Sequence, residues 1–109
     1  MNFRKYDIVL ALFPFTDLTE AKKRPALVIK ELEGENIIVC QITTKRHSFS
    51  KYEVPLKKEH SEGDIRFDSY IYFDIIATLN KKVIEKKIGY VKDGKTRKEI
   101  DEKLHLILN

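Results

Sequence analysis

The chain has 109 residues, enough for one hydrophobic core and too few for two, so it reads as a single domain, Met1–Asn109. It is 42% hydrophobic and 35% charged, and its net charge of +4, with an isoelectric point near 9.1, favours a polyanionic partner. Its lone cysteine, Cys40, excludes an intrachain disulfide, and no run approaches the ~20 apolar residues of a membrane span.

Arg4 and Lys5 are followed by an apolar run, Ile8–Phe13, that is short, ends at Pro14 and lacks a signal-peptide cleavage site, so a reducing cytoplasm is the expected location. Asp7–Phe13 reads as a strand covered on both faces, since every residue from Ile8 on is apolar. Pro14–Lys23 reads as a loop: Pro14 cannot continue a central strand, and Thr16, Asp17 and Thr19 suit turns. The loop carries Phe15 and Leu18 and runs into Lys22-Lys23-Arg24. An aromatic ring beside three consecutive cations matches a single-stranded nucleic-acid contact, with charges for phosphate and a ring for a base.

Two Val- and Ile-rich runs, Pro25–Ile29 and Ile37–Ile42, flank a polar tip with Gly34 near its centre, the pattern of a β-hairpin. If Glu33-Gly34 is a two-residue loop, Leu32 faces Glu35 and Arg24 faces Thr43; a three-residue loop sets Arg24 opposite Thr43 or Thr44. Directly opposed residues lie roughly 4.5–5.5 Å apart at Cβ and share a face, so a cation and a hydroxyl meet at the open end of the hairpin. Val39, Gln41 and Thr43 share one face by the period of two, grading from apolar to polar toward that end. Thr44–Ser50 is a polar, basic loop holding Lys45, Arg46 and His47, and it lies beside the first loop. Cys40, inside an apolar run, is read as a buried small apolar residue.

Lys51–Leu56 reads as a short strand at an edge, given Pro55. Lys57–Asp64 reads as a charged turn with Gly63. Ser69–Leu79 is an apolar strand carrying one acid, Asp74, which must be paired or reach an exposed edge; one reading places it near Arg24. Lys86–Val91 forms a last strand, and Asp93-Gly94 marks a turn. Thr96 then starts a helix through a Thr96–Glu99 capping box, with an apolar stripe of Ile100, Leu104, Ile107 and Leu108. The architecture is mainly β with a C-terminal helix: a small, partly open, SH3-like antiparallel barrel, with a β-sandwich as the alternative. The histidines, His47, His60 and His105, have no ligand-spaced partners, so neither metal nor cofactor is expected.

DIVLALFPFTDL, KKRPALVI, IIVCQITTK and YEVPL together resemble the MazF/PemK-like toxins of type II toxin–antitoxin systems, with SYIYFDIIATL and KKIGYV similar to later segments. The resemblance runs from Asp7 to Val91. Two departures are Tyr6-Asp7 in place of Gly-Asp and a first loop, TDLTEAKK, without glycine. The resemblance implies a homodimeric SH3-like barrel that cuts single-stranded RNA without a metal and is neutralised by a cognate antitoxin. It implies Arg24, before the Pro of the RPxLV-type motif, and Thr43, ending the third strand, as catalytic residues, with Asp74 helping form the RNA groove. Around that pair the candidate RNA contacts are Phe15, Thr16, Asp17, Lys22, Lys23, Gln41, Thr44, Lys45, Arg46 and His47. The implied reaction is attack of the RNA's 2′-OH on the adjacent phosphate, giving a 2′,3′-cyclic phosphate. A gyrase-poisoning toxin of the same fold and a non-catalytic RNA-binding barrel are the alternatives.

Overall fold

A computed structural model describes residues 2–13, 22–46 and 50–108. Seven strands form one antiparallel sheet: β1 Asp7–Phe13, β2 Lys22–Glu31, β3 Asn36–Thr43, β4 Glu53–Leu56, β5 Ser61–Gly63, β6 Ser69–Asn80 and β7 Ile84–Val91, with one helix, α1 Gly94–Leu108. The spatial order is β4-β6-β3-β2-β1-β7-β5. The edge strands β4 and β5 are therefore consecutive in the chain, separated only by residues 57–60. Six strand spacings of ~4.8 Å would hold flat edges about 29 Å apart, whereas that connection spans about 18 Å at most. The sheet must curl until its edges approach, and the connecting 3-10 turn, Lys58–His60, lies across the gap.

Curling gives the sheet an inner and an outer face, and both are buried. Ile8, Leu27, Cys40, Ile42, Ile71, Phe73 and Val91 form the inner core, closed by Ile100 and Leu104 of α1. Their chain neighbours Val9, Ala26, Val28 and Val39 turn the other way and pack with Phe3, Ala11, Ile37, Leu79 and Ile84. This is why β1 and β3 are apolar without alternation. The helix stripe largely serves its own chain's core; Leu108, at its end, is 68% exposed. No helix among the described residues is long and apolar enough to cross a membrane.

Three sequence expectations need correction. Lys22 and Lys23 belong to β2, not to the preceding loop. The Lys57–Asp64 segment contains a short strand, β5, which pairs with β7 through Gly63 and Gly89. The helix begins at Gly94, and its cap is Asp93, whose carboxylate accepts from the Thr96 amide (2.8 Å) and hydroxyl (2.7 Å), so Thr96 is the third helical residue and not the cap. Of the two loop lengths the sequence allows, the hairpin tip takes the longer, three residues: the Leu32 amide donates to the Asn36 carbonyl at 2.9 Å across Glu33-Gly34-Glu35, with Gly34 at φ +85°.

Candidate functional site

A three-residue tip alone would place Arg24 opposite Thr44. A bulge on β2 between Val28 and Lys30 absorbs one residue, and beyond it the ladder pairs Val28 with Val39, Leu27 with Cys40 and Ala26 with Gln41. Ala26–Gln41 is the last pair of the β2–β3 ladder; carried two residues past it, the same register puts Arg24 opposite Thr43. On its other side Arg24 pairs with Ala11 of β1, so it sits in the interior of the sheet, half-buried.

Two rows of residues then cross the outer face at the open end of the hairpin. One runs Glu53, Tyr72, Gln41, Ala26, Val9; in the next, Pro55, Tyr70 and Thr43 follow one another on one side and Arg24 and Ala11 on the other, the step from Thr43 to Arg24 lying beyond the last β2–β3 pair. Gln41 is buried and Thr43 half-buried. The Thr43 Oγ1 accepts from the Lys45 amide at 3.1 Å, which turns the chain out of β3 and leaves Thr44 and Lys45 exposed. Arg46 reaches back over this face. Its guanidinium is ion-paired with the buried Glu53 carboxylate and stands 5.3 Å from the centre of the Tyr70 ring. The structure thus brings Arg24, Gln41, Thr43 and Arg46 to one polar end of an otherwise apolar face.

Two other sequence candidates, Lys23 and Asp74, lie elsewhere. Lys23 follows the opposite parity from Arg24, and its ammonium is paired with Glu85 at 2.7 Å. Lys22 begins β2, beside Phe13 of β1. Asp74 lies in a wide irregularity of β6, where the ladder jumps from Cys40–Ile76 to Gln41–Tyr72. The irregularity carries the carboxylate into solvent, which is how an acid is tolerated in so apolar a strand. Asp74 is two strands from Arg24, and no ion pair joins them. Phe15, Thr16, Asp17 and His47 lie outside the described residues. Sequence reasoning missed Glu53, Tyr70 and Tyr72. The one sequence signal for Glu53 is Arg46, seven residues earlier. Among the described residues no cluster of three or more His, Cys, Asp or Glu side chains could hold a metal ion.

A family model described as "PemK-like, MazF-like toxin of type II toxin-antitoxin system" matches residues 4–108. Solved structures share the fold. The Mycobacterium tuberculosis toxin MazF-mt6 superposes with a TM-score of 0.71 at 20% identity, over 92% of this chain and 93% of its own. An endoribonuclease in complex with its cognate antitoxin, from a mycobacterial species, gives 0.71 at 17% identity over 95% and 92%. A further mycobacterial endoribonuclease gives 0.70 at 19% identity over 99% and 93%.

Proposed function

Because the chain belongs to the PemK-like, MazF-like toxins of type II toxin–antitoxin systems, we propose that it is the toxin endoribonuclease of such a pair, a single domain that cleaves single-stranded RNA at the Arg24–Thr43 end of the hairpin. The observation that supports this reading is the register: a bulge and a three-residue tip, each of which shifts the pairing by one, offset one another, and the register they leave at Ala26–Gln41 runs on toward Arg24 and Thr43.

The chemistry asks little of the protein. The substrate's 2′ oxygen attacks phosphorus, the bond to the 5′ oxygen breaks, the 2′ proton is lost and the 5′ oxygen gains one. A 2′,3′-cyclic phosphate and a 5′-hydroxyl remain. The guanidinium of Arg24 donates two parallel hydrogen bonds to the non-bridging oxygens as their charge grows. The Thr43 hydroxyl holds a phosphate oxygen or the attacking hydroxyl. Arg46 supplies a second positive charge nearby, Gln41 an amide, and Lys45 phosphate attraction. Asp74 is a groove residue at the far side of β3. DNA, lacking the 2′-OH, is not cut. The partner is an antitoxin with an acidic segment that competes with RNA for this positive surface, and the toxin acts as a homodimer.

The test is incubation of the purified protein with long single-stranded RNA in EDTA, beside Arg24→Ala. Sequence-specific cuts ending in 2′,3′-cyclic phosphate, lost in the variant while its circular dichroism is unchanged, are the expected result. Intact RNA with salt-dependent binding, or inhibited DNA supercoiling, would overturn it.

A further inference from the structure

Neighbouring residues on a strand point to opposite faces. Arg24 and Thr43 face outward, so Pro25, Ile42 and Thr44 face the mouth of the curled sheet. There they wall a cavity of about 190 Å³. Its floor is apolar, built by Ile8, Leu56, Ile65 and Ile88, and its rim is polar, with Asp64, Arg66 and Ser69. Phe67 stands on the rim with 67% of its surface in water, the most exposed aromatic ring among the described residues.

That ring is held out, not left loose. The segment bearing it is pinned on both sides: the Asp64 amide donates to the Ile88 carbonyl at 2.7 Å, the Ser69 hydroxyl to the Phe67 carbonyl at 3.2 Å, and the Lys58 amide to the Asp68 carboxylate at 2.9 Å. The Arg66 guanidinium is tied to Asp64 at 3.0 Å and stays at the rim. Holding a bare phenyl ring in water costs hydrophobic free energy that a flat apolar partner would recover.

We propose that this cavity is a nucleobase subsite: it takes the base of the nucleotide next to the phosphate held by Arg24 and Thr43, with Phe67 stacked on one face of that base. A single strand crossing the end of the hairpin would leave its phosphate on the outer face and turn the adjoining base over the strand ends into the mouth. The rim offers both hydrogen-bond senses a base edge requires, donors from Arg66 and Thr44 and an acceptor at Asp64. An arginine next in the chain to an exposed ring, in a cavity walled by the chain neighbours of Arg24 and Thr43, suits a nucleotide better than an apolar peptide side chain. The choice of substrate rests on the ribonuclease reading; the site itself is testable without cleavage.

The probe is a panel of single-stranded 2′-fluoro oligonucleotides of varied sequence, which lack the attacking hydroxyl, with 2-aminopurine placed at successive positions. The chain has no tryptophan, so the probe's emission stands clear of the protein's. Wild type should quench one position strongly, and Phe67→Ala should abolish that quenching. Removing the base at that position should weaken wild-type binding roughly tenfold or more, as loss of an aromatic stack does, and should not weaken Phe67→Ala further. Equal quenching by both proteins overturns the subsite, also where Phe67→Ala instead loses affinity for an acidic antitoxin peptide. Quenching that depends on Phe67 in a protein that cuts no RNA supports the subsite and removes the ribonuclease reading. Cleavage of RNA with unchanged rate and site preference in Phe67→Ala does the reverse. A protein that binds none of the oligonucleotides overturns both.

Discussion

The guanidinium of Arg46 is bound to the carboxylate of Glu53, seven residues further on, and Glu53 is buried in the edge strand β4. The same guanidinium lies over Tyr70, the residue paired with Thr43 between β3 and β6. A buried carboxylate requires a cation or a set of donors, so Glu53 fixes where Arg46 stands, over the cross-strand partner of Thr43. Glu53→Gln keeps the size of the side chain and removes that constraint. It should raise the KM for RNA severalfold with little change in kcat, since a released Arg46 still attracts phosphate but no longer presents its fork in one place. Steady-state kinetics on a short RNA substrate check this; a fall in kcat at constant KM would count against it.

Thr43 has two separable roles. Its hydroxyl oxygen accepts from the Lys45 amide, closing the turn after β3, and in the proposed reaction its proton is donated to the substrate. Thr43→Ser keeps both functions and should retain most activity. Thr43→Val removes both and should lower kcat by roughly 10²–10³, the usual cost of one lost donor to a developing charge. Melting of the two variants should differ little, because the side chain is only half-buried. Equal activity in Ser and Val variants would take the hydroxyl out of the chemistry.

Local patterns made the hairpin legible in the sequence. Val and Ile runs around Gly34 announce two strands, and the Arg24–Thr43 pairing emerged from counting back from the tip. The two-residue count and the molecule reach the same register at Ala26–Gln41 by different routes, since nothing in ALVIKE marks the bulge that offsets the longer tip. Asp74 announced a problem, an acid in an apolar strand, but the irregularity that solves it depends on how β6 must bend to pair with both β3 and β4. Glu53, Tyr70 and Tyr72 were illegible as site residues because their place follows from sheet order, a long-range property that no local periodicity carries. The helix start was misplaced for a smaller reason: Asp93 and Thr96 both suit a cap, and only the hydrogen bonds from Thr96 to Asp93 decide between them.

Gly89 shows how closely β5 and β7 approach. A Cβ at this position would lie 2.1 Å from the Glu62 carbonyl oxygen, and one at Gly63 would lie 2.2 Å from the Ile88 carbonyl oxygen. Both obstacles are backbone, so a side chain at either glycine must push the strands apart. Gly89→Ala should destabilise the protein by roughly 1–3 kcal/mol, the range for a forced insertion into packed structure, measured by urea denaturation. It should also shift the segment carrying Phe67, which leaves β5 two residues after Glu62. Wild-type stability in this variant would mean that the edge strand is not held as described.

Cys40 is fully buried in the inner core, and burial, aided by the nearby Asp74 charge, pushes its thiol up to about 12. At neutral pH the thiolate that reacts with alkylating reagents is therefore essentially absent in the native state. Iodoacetamide should modify the native protein only at the rate at which it opens, and rapidly once denaturant is added. Fast stoichiometric labelling of the native protein, read by intact mass, would show the thiol to be accessible and Cys40 to be something other than core.

The cap at Asp93 gives a pH dependence whose sign can be worked out. Hydrogen bonds from the Thr96 hydroxyl and amide, with His60 and Lys95 as more distant positive groups, hold the Asp93 carboxyl below its ordinary value of 3.8. The unfolded chain therefore takes up this proton at higher pH than the folded one. The stabilisation is fully present above the ordinary value and is lost as pH falls through the lower, folded value. Asp93→Asn keeps a capping oxygen for the Thr96 amide and removes the charge that faces the helix N-terminus. Wild type should be more stable than Asp93→Asn at pH 7, with the gap closing as the pH drops below about 4. Because α1 supplies Ile100 and Leu104 to the inner core, loosening its first turn should appear as a lower global melting temperature and not as local fraying alone. Parallel melting curves from pH 7 to pH 2.5 measure the gap, and one that stayed constant to pH 2.5 would show that the cap acts through its hydrogen bonds without its charge.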